Sequence, residues 1–437
     1  MKWFSMQNVV LYVLILSASV MAQKETPPLL KEAASASVSD TASVKGKLTL
    51  PQALNLAMRY NPQLSVFSLE IRVREAAAVQ AALWPNPELE LEAENFAGSG
   101  PLSAFKATET TVSVGQLIEV AGKRAKRVRI AKLGTRLAEY DFQVAQLNVF
   151  TQTVSIFTRV LAAQELVELN RKLVSLAETF KENIAKRVQA GRLSPAELSR
   201  AEVEVANARI NLQRREKELA AARRQLAATW GATRVTFDAV SGSLENVSPV
   251  PEEAKLQALI RRNPILTRWQ VVARQRETEY RLAKAGRIPD PVIRAGWRKF
   301  NDSGDQAFVA GLSIPLPLLN RNQGTVQQTA VRMQQTTVQK RSQELLLQTQ
   351  LHRYYQDLLA AYESLRALKE EIIPRAENAF HTINEGYQQG KFGFLDVLDA
   401  RRTLFASREA YLQNVTDYQL ARAQIERLIG QPLETVQ

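Results

Sequence analysis

Gly390-Lys391-Phe392-Gly393-Phe394-Leu395-Asp396-Val397-Leu398-Asp399, with its earlier echo Gly191-Arg192-Leu193-Ser194-Pro195-Ala196-Glu197, is a short break between tracts that contain no helix breaker. Neither Thr135 to Ala190 nor Thr325 to Ile373 holds a Gly or a Pro. At about 1.5 Å per residue, a helix over the first tract is roughly 84 Å long, more than the width of a globular domain. Leu166, Leu169, Leu173, Leu176 and Phe180 step by threes and fours, as do Leu351, Tyr355, Leu358, Tyr362 and Leu365. That is the seam of packed, coiled helices. Each Gly stops one helix and an acid follows just inside the next, so both breaks are tips of long antiparallel hairpins, near 191–195 and near 390–393.

Outward from the tips, the chain repeats itself. Asn61-Pro62 returns as Asn263-Pro264, Pro85-Asn86-Pro87 as Pro289-Asp290-Pro291, and Trp230-Gly231 as Ile429-Gly430. All are displaced by about 200 residues, as the tips are, which argues for an internal duplication. The units run 47–231 and 252–433, joined by a linker at 232–251 that contains Gly242, Pro249 and Pro251 and closed by a tail at 434–437. Each begins with a helix, the first read as Leu50 to Leu83, ending at Trp84-Pro85 because Pro cannot continue it.

The period then changes from helix to strand. Glu88-Leu89-Glu90-Leu91-Glu92-Ala93-Glu94 alternates acid with apolar residue, and Thr110 to Gly115 alternates again after a Gly-rich loop. Only a strand separates its faces with a period of two. Ile293 to Arg298 and Phe308 to Ile314 form the matching hairpin across Asn301-Asp302-Ser303-Gly304. The two hairpins, about 87–118 and 291–316, have strands near the length that crosses a bilayer when tilted. The ladder Glu88, Glu90, Glu92 and Glu94 is expected to face a barrel lumen with Arg294 and Arg298 offsetting it, and Leu89, Leu91 and Ala93 to face lipid. Four strands cannot close, and lipid tolerates no open edge, so the missing strands must come from other copies of the chain. Three copies make twelve, the economical solution, for a membrane α+β fold in which the long helical hairpins lie far from the strands.

Lys2, the apolar run Val9 to Leu16 and the small residue Ala22 read as a secretory signal over 1–22. Residues 23–46, rich in Ala, Ser, Thr and Pro, read as a disordered leader. With no Cys the exported chain has no disulfides and no site for a lipid-modified N-terminal Cys. The net charge of +13 would suit nucleic acid, but export makes anionic lipid head groups the expected counter-charge, with the run Lys123-Arg124-Ala125-Lys126-Arg127-Val128-Arg129 the densest patch.

The signal segment, the paired hairpins and the acid-bearing tips resemble the TolC family of trimeric outer-membrane efflux factors, over essentially all of Leu48 to Leu433. Tyr387 and Gly390 followed by Leu395-Asp396-Val397-Leu398-Asp399-Ala400 is the most specific match. Trp84-Pro85-Asn86-Pro87 and Gln116-Leu117-Ile118-Glu119 are similar to the heavy-metal branch, the CzcC-like and CusC-like factors. The resemblance implies a trimeric twelve-stranded outer-membrane β-barrel, four strands from each chain, continued by a long periplasmic α-helical coiled-coil barrel: a passive exit duct in the outer membrane of a Gram-negative bacterium, a homotrimer in outer-membrane lipid. It also implies a periplasmic adaptor and, through it, an inner-membrane proton-driven transporter of the RND type as partners. It implies that Asp396 and Asp399 gate the periplasmic mouth, and that Tyr387 and Glu197 form a latch. Arg192, Leu193 and Ser194 would dock the adaptor, with Lys391, Phe392 and Gly393 on the second tip, beside the turn glycines Gly191 and Gly390. Phe392 stands where some relatives carry an Arg of the latch. A drug-efflux or type I secretion duct of the same fold, and a periplasmic coiled-coil scaffold, are the alternatives.

No catalytic constellation and no cofactor site is expected. Gly115 to Lys123 superficially matches a phosphate loop, but the spacing is one residue too long and Arg124 stands where Ser or Thr would hold magnesium. His352 and His381 are distant from each other and there is no Cys, so no transition-metal site is expected. The +13 charge is not assigned to nucleic acid.

Overall fold

Two Asn-Pro pairs set the frame of the helical part. The computed structural model describes residues 46–436; the expected signal segment and all of the expected leader but Gly46 lie outside the described residues. The first half runs β1 (Lys47–Thr49), α1 (Leu50–Tyr60), α2 (Pro62–Ala82), β2 (Glu88–Glu94), β3 (Glu109–Leu117), α3 (Lys123–Gln189) and α4 (Pro195–Ala228). After β4 (Ala239–Ser241) the second half runs α5 (Glu253–Ile260), α6 (Pro264–Ala285), β5 (Val292–Phe300), β6 (Gln306–Ser313), α7 (Gln323–Ala367), α8 (Ile373–Gln388) and α9 (Phe394–Ile429).

The single helix read from Leu50 to Leu83 is in fact two, because the residue before a proline is pushed out of the helical region. Asn61 uses the break. Its Oδ1 accepts from the backbone N–H of Gln63 at 2.8 Å and of Leu64 at 3.3 Å, capping α2, while its Nδ2 donates to the Thr229 carbonyl at 2.7 Å, just past α4. Asn263 repeats the arrangement at the start of α6, accepting from Ile265 N–H at 2.8 Å and donating to the Leu428 carbonyl in the last turn of α9 at 2.8 Å. Both side chains are buried. Each half is thus tied start to end by one amide.

The long helices start earlier than the Gly-free tracts. α3 has 67 residues, about 100 Å of helix. It passes through half-buried Gly134; a glycine inside a helix costs about 1 kcal/mol, which a helix of this length absorbs. The chain enters α3 and α7 through left-handed residues, Gly122 at φ 64° and Asn322 at φ 57°. The second long helix is interrupted: a π turn at Leu368–Ile372 separates α7 from α8. Pro374 accounts for it, since its ring collides with the carbonyl four residues back and it offers no N–H. α3 has no such turn.

The four long strands form one antiparallel sheet in the order β2-β3-β5-β6. Register puts Glu88, Glu90, Glu92 and Glu94 on the same face as Thr111, Ser113, Arg294, Gly296 and Arg298. The opposite face carries Leu89, Leu91, Val114, Ile293, Phe308 and Leu312, all large apolar side chains exposed in the single chain. Small residues let the strands close on the polar face: a Cβ on Gly296 would lie 2.6 Å from Ser113 Cβ.

The linker is more ordered than its composition suggested. β4 pairs in parallel with β1, and Gly46, placed by composition in the leader, accepts from Asp238 N–H at 2.9 Å. The basic run is not the free patch expected of it. Lys123 pairs with Asp290 at 2.8 Å, Arg124 donates to the Ala82 carbonyl and lies over the Trp84 ring, and Arg127 grips Glu119 with both terminal nitrogens at 2.5 and 3.0 Å. Asp290 also accepts from Val120 N–H at 2.8 Å. These cations fasten the strand-to-helix joint.

Asn61→Ala and Asn263→Ala should each cost about 1–3 kcal/mol, since each removes a cap and leaves a carbonyl unpaired. Thermal unfolding of the detergent-solubilised protein checks this; a melting temperature unchanged in both would remove the ties from the frame.

Candidate functional site

The two tips close with the same hydrogen bonds. Gly191, at φ 66°, donates to the Val188 carbonyl at 2.9 Å and Arg192 to Arg187 at 2.8 Å. Gly390, at φ 78°, donates to Tyr387 at 3.0 Å and Lys391 to Gly386 at 2.8 Å. This is the two-bond turn that ends a helix on a left-handed residue, and only Gly enters it without a Cβ penalty. Ser194 then caps α4 by accepting from Ala196 N–H at 3.3 Å.

Below the turns, α3, α4, α8 and α9 share one apolar core of Ile184, Ala201, Tyr387, Phe394, Val397 and Leu398. Leu193, expected to be free for docking, is half-buried against this core. Phe392 lies over the backbone of Gly386, where any Cβ would overlap its ring. Arg192, Ser194, Lys391 and Gly393 are exposed.

The two tip acids are both exposed but differently engaged. Asp396 Oδ2 accepts from the Gly393 backbone N–H at 2.8 Å, so this carboxylate caps α9. Negative charge is favoured there by the exposed N–H groups of the first turn. Asp399, one turn on, makes no such bond and lines an open groove of about 550 Å³ between α4 and α9 with Arg200, Glu204, Leu395 and Arg402.

Tyr387 and Glu197 come together, but no hydrogen bond joins them. The Tyr387 hydroxyl and Glu197 Oε2 are both buried and both lack a partner. What meets the phenol ring is Arg187 from α3, its guanidinium 5.0 Å from the centroid, with Phe180 stacked at 5.6 Å. Burial pushes the phenol above its ordinary pKa, and the Arg187 charge opposes that shift.

Sequence reasoning missed Arg187, Glu204 and Arg401. Arg401 is buried and pairs with Glu204 at 2.9 Å across α4 and α9, and Arg402 meets the same carboxylate from the exposed side. Burial lowers the Arg401 pKa while Glu204 raises it. A signal existed: Arg401 stands seven residues after Phe394 and three after Leu398, a core position where a cation needs a partner.

On the sheet, Arg294 reaches Glu90 at 3.4 Å, and Arg298 reaches Glu94 at 3.1 Å and Glu109 at 2.8 Å. Glu88 and Glu92 make no ion pair among the described residues. His352 pairs with Glu253 at 3.0 Å. Among the described residues no three or more His, Asp or Glu are grouped to hold a metal ion, and no helix is long and apolar enough to cross a membrane.

The sequence matches the family described as outer membrane efflux protein over residues 53–232 and 256–431. It is 30% identical over 386 residues to the cobalt-zinc-cadmium resistance protein CzcC of Cupriavidus metallidurans, covering 88% of this chain and 90% of that one. Among solved structures, a membrane protein from Pseudomonas aeruginosa superposes with a TM-score of 0.76 at 16% identity, over 87% of this chain and 92% of that one. The outer membrane protein VceC of Vibrio cholerae superposes with a TM-score of 0.73 at 19% identity, over 88% and 96%.

Gly386→Ala should destabilise the second tip by about 1–3 kcal/mol through overlap with Phe392. Limited proteolysis would show faster cleavage near Gly390, rescued by adding Phe392→Ala; equal cleavage rates would contradict the packing.

Proposed function

The chain belongs to the outer membrane efflux protein family, and from that premise we propose that three copies close into a passive exit duct for heavy-metal cations. The observation that carries the reading is a match of edges. The sheet runs β2-β3-β5-β6, and beneath it α2 packs on α3, α3 on α6 and α6 on α7. Sheet and helical wall therefore leave corresponding elements open: β2 and α2 on one side, β6 and α7 on the other.

Both open helices carry unpartnered apolar seams, Val66, Leu69 and Val73 on α2 and Val331, Val338 and Leu345 on α7. Such spacing of three, four and seven is what a neighbouring helix packs into. A head-to-tail contact of one copy's α7 and β6 with the next copy's α2 and β2 pairs the strand edges and covers both seams at once. If that rotation closes at three, the twelve strands face lipid with Leu89, Leu91, Phe308 and Leu312 and turn the Glu ladder, Arg294 and Arg298 to the bore.

The family places the chain in the outer membrane. The metal cargo is proposed from the likeness to the cobalt-zinc-cadmium resistance protein, together with a periplasmic adaptor and a proton-driven inner-membrane transporter as partners. The adaptor would meet the exposed tip residues Arg192, Ser194, Lys391 and Gly393, with Leu193 and Phe392 holding those turns in shape.

At the mouth we assign separate tasks to the two acids. Asp396 holds the first turn of α9, and Asp399 presents the carboxylate that meets cations, three of them around the axis of a trimer. The Tyr387 and Glu197 contact restrains the hairpin of α8 and α9, which hangs from the π turn at Leu368–Ile372.

Planar-bilayer recordings test this. The wild type should conduct and be blocked by trivalent cations. Asp399→Ala should weaken block about tenfold or more, Asp396→Asn should weaken it less while lowering tip stability, and Tyr387→Ala, which removes the packed ring, should raise conductance. Equal loss of block in both acid variants would overturn the division of tasks, and Tyr387→Ala at wild-type conductance would remove this contact from the restraint.

A further inference from the structure

Midway along the helical wall an open groove of about 670 Å³ lies between α3, α4 and α9, lined by polar side chains that include two arginines and no carboxylate. Asn148, Gln152, Ser155 and Arg159 follow one another on α3 at steps of four, three and four, so they share one face. Gln424 and Arg427 of α9 complete the other side, with Gln225 of α4 at the end.

The cations here are unspent. Arg427 donates to Gln424 Oε1 at 3.2 Å and to Asn148 Oδ1 at 3.5 Å, neutral acceptors both. Arg159 is exposed and makes no ion pair among the described residues. Ser155 Oγ is buried without a hydrogen-bond partner. Neither arginine facing the groove is matched to an acid among the described residues, unlike Arg127, Arg215, Arg268, Arg298 and Arg401. The adjoining groove shares Ser155, Arg159 and Gln424 and does contain Asp357 and Asp417. Asp357 lies 3.9 Å from Arg353, and Asp417 accepts from Gln413 at 3.0 Å.

We propose that the groove is a binding site for a small polyvalent oxyanion of the carboxylate class, held between Arg159 and Arg427 with the amides of Asn148 and Gln424 as neutral donors. Guanidinium groups bind carboxylates through paired, charge-assisted hydrogen bonds, and the volume is that of a small-molecule site.

The position also decides which side of the wall the site serves. Phe157 and Leu161, nearly opposite the Arg159 stripe on α3, pack beside Gly242 of the linker, and Gln164 there exchanges hydrogen bonds with Val240 at 2.8 and 3.1 Å. On α9 the linker side is marked by Tyr418, which is bonded to Ser248 and lies about 180° around the helix from Arg427. In a wall closed into a tube, an added layer on the concave side would fill the bore. The linker therefore lies outside and the groove faces the bore, a step that rests on the duct reading. In a trimer the groove makes a collar of six arginines above a mouth of carboxylates. Such a collar favours cargo that travels with an anionic ligand over the bare cation.

Citrate is the probe. Calorimetric titration of the detergent-solubilised full chain should detect binding, and Arg159→Gln and Arg427→Gln should each weaken it about tenfold or more, the loss of one charged hydrogen-bond partner. Arg159→Lys, which keeps the charge but not the paired donors, should lose part of the affinity and weaken binding less than Arg159→Gln. No binding in the wild type, or unchanged affinity in the double variant, overturns the proposal. In planar bilayers citrate should block the wild type and the double variant should escape block. Binding without block in a conducting wild type would overturn the placement in the bore. A wild type that binds citrate and conducts nothing would strike the duct reading and leave the binding site standing.

Discussion

Two rows of backbone N–H and C=O groups, along β2 and along β6, have no strand partner among the described residues, and most of what the protein is follows from the need to pair them. An unpaired backbone group in hydrocarbon costs several kcal/mol, so a sheet with one apolar face and open edges is not a finished structure in a membrane. The helical wall has the same deficiency in a cheaper currency, two apolar seams on α2 and α7 at the corresponding edges. Coincidence of the two deficiencies is what makes a further copy of the chain the natural remedy for both. It also explains why three cations of the basic run fasten the strand-to-helix joint. Sheet and wall must present their edges in a fixed relation, and Lys123, Arg124, Arg127 and Asp290 hold that relation.

The far end of the molecule obeys a different constraint. Both tips end on left-handed glycines with the same two hydrogen bonds, yet the helices behind them differ. α3 is continuous for 67 residues, whereas the path to the second tip passes the π turn before Pro374. A π turn replaces regular bonds with weaker ones and is a natural place for a helix to bend. The buried but unpaired polar atoms of Tyr387 and Glu197 sit between the stiff hairpin and the hinged one.

Much of this could be read in the chain itself, for identifiable reasons. Period-two alternation in Glu88 to Glu94 has one structural use, and register alone then placed Arg294 and Arg298 on the same face as the acids. Glycines at 191 and 390 could be placed because no other residue enters their turns freely. What escaped reading depended on contacts between distant parts of the chain. Asn61 and Asn263 were visible as markers, but their partners at Thr229 and Leu428 lie more than 160 residues away. The strand β4 in the linker exists only because β1 lies beside it. Nothing local marks Glu204 as the partner of Arg401, 197 residues away, and the basic run at 123–129 reads as a lipid patch because its acceptors are backbone carbonyls and acids elsewhere. Charge counts are local, and pairing is not.

We propose that the edges of one copy meet the opposite edges of the next and that the ring closes at three. Because the chain contains no Cys, paired cysteines report on this directly. Leu91→Cys on β2 would be combined in turn with Gln306→Cys, Phe308→Cys or Ala310→Cys on β6. These strands are separated within one chain by two others, about 14 Å at about 4.8 Å per strand, too far for an internal disulfide. Oxidation in intact outer membranes should give, for the pairing in register, covalent dimers and trimers and nothing larger. Monomer alone for every pair, or a ladder that continues past three, would contradict the closed ring.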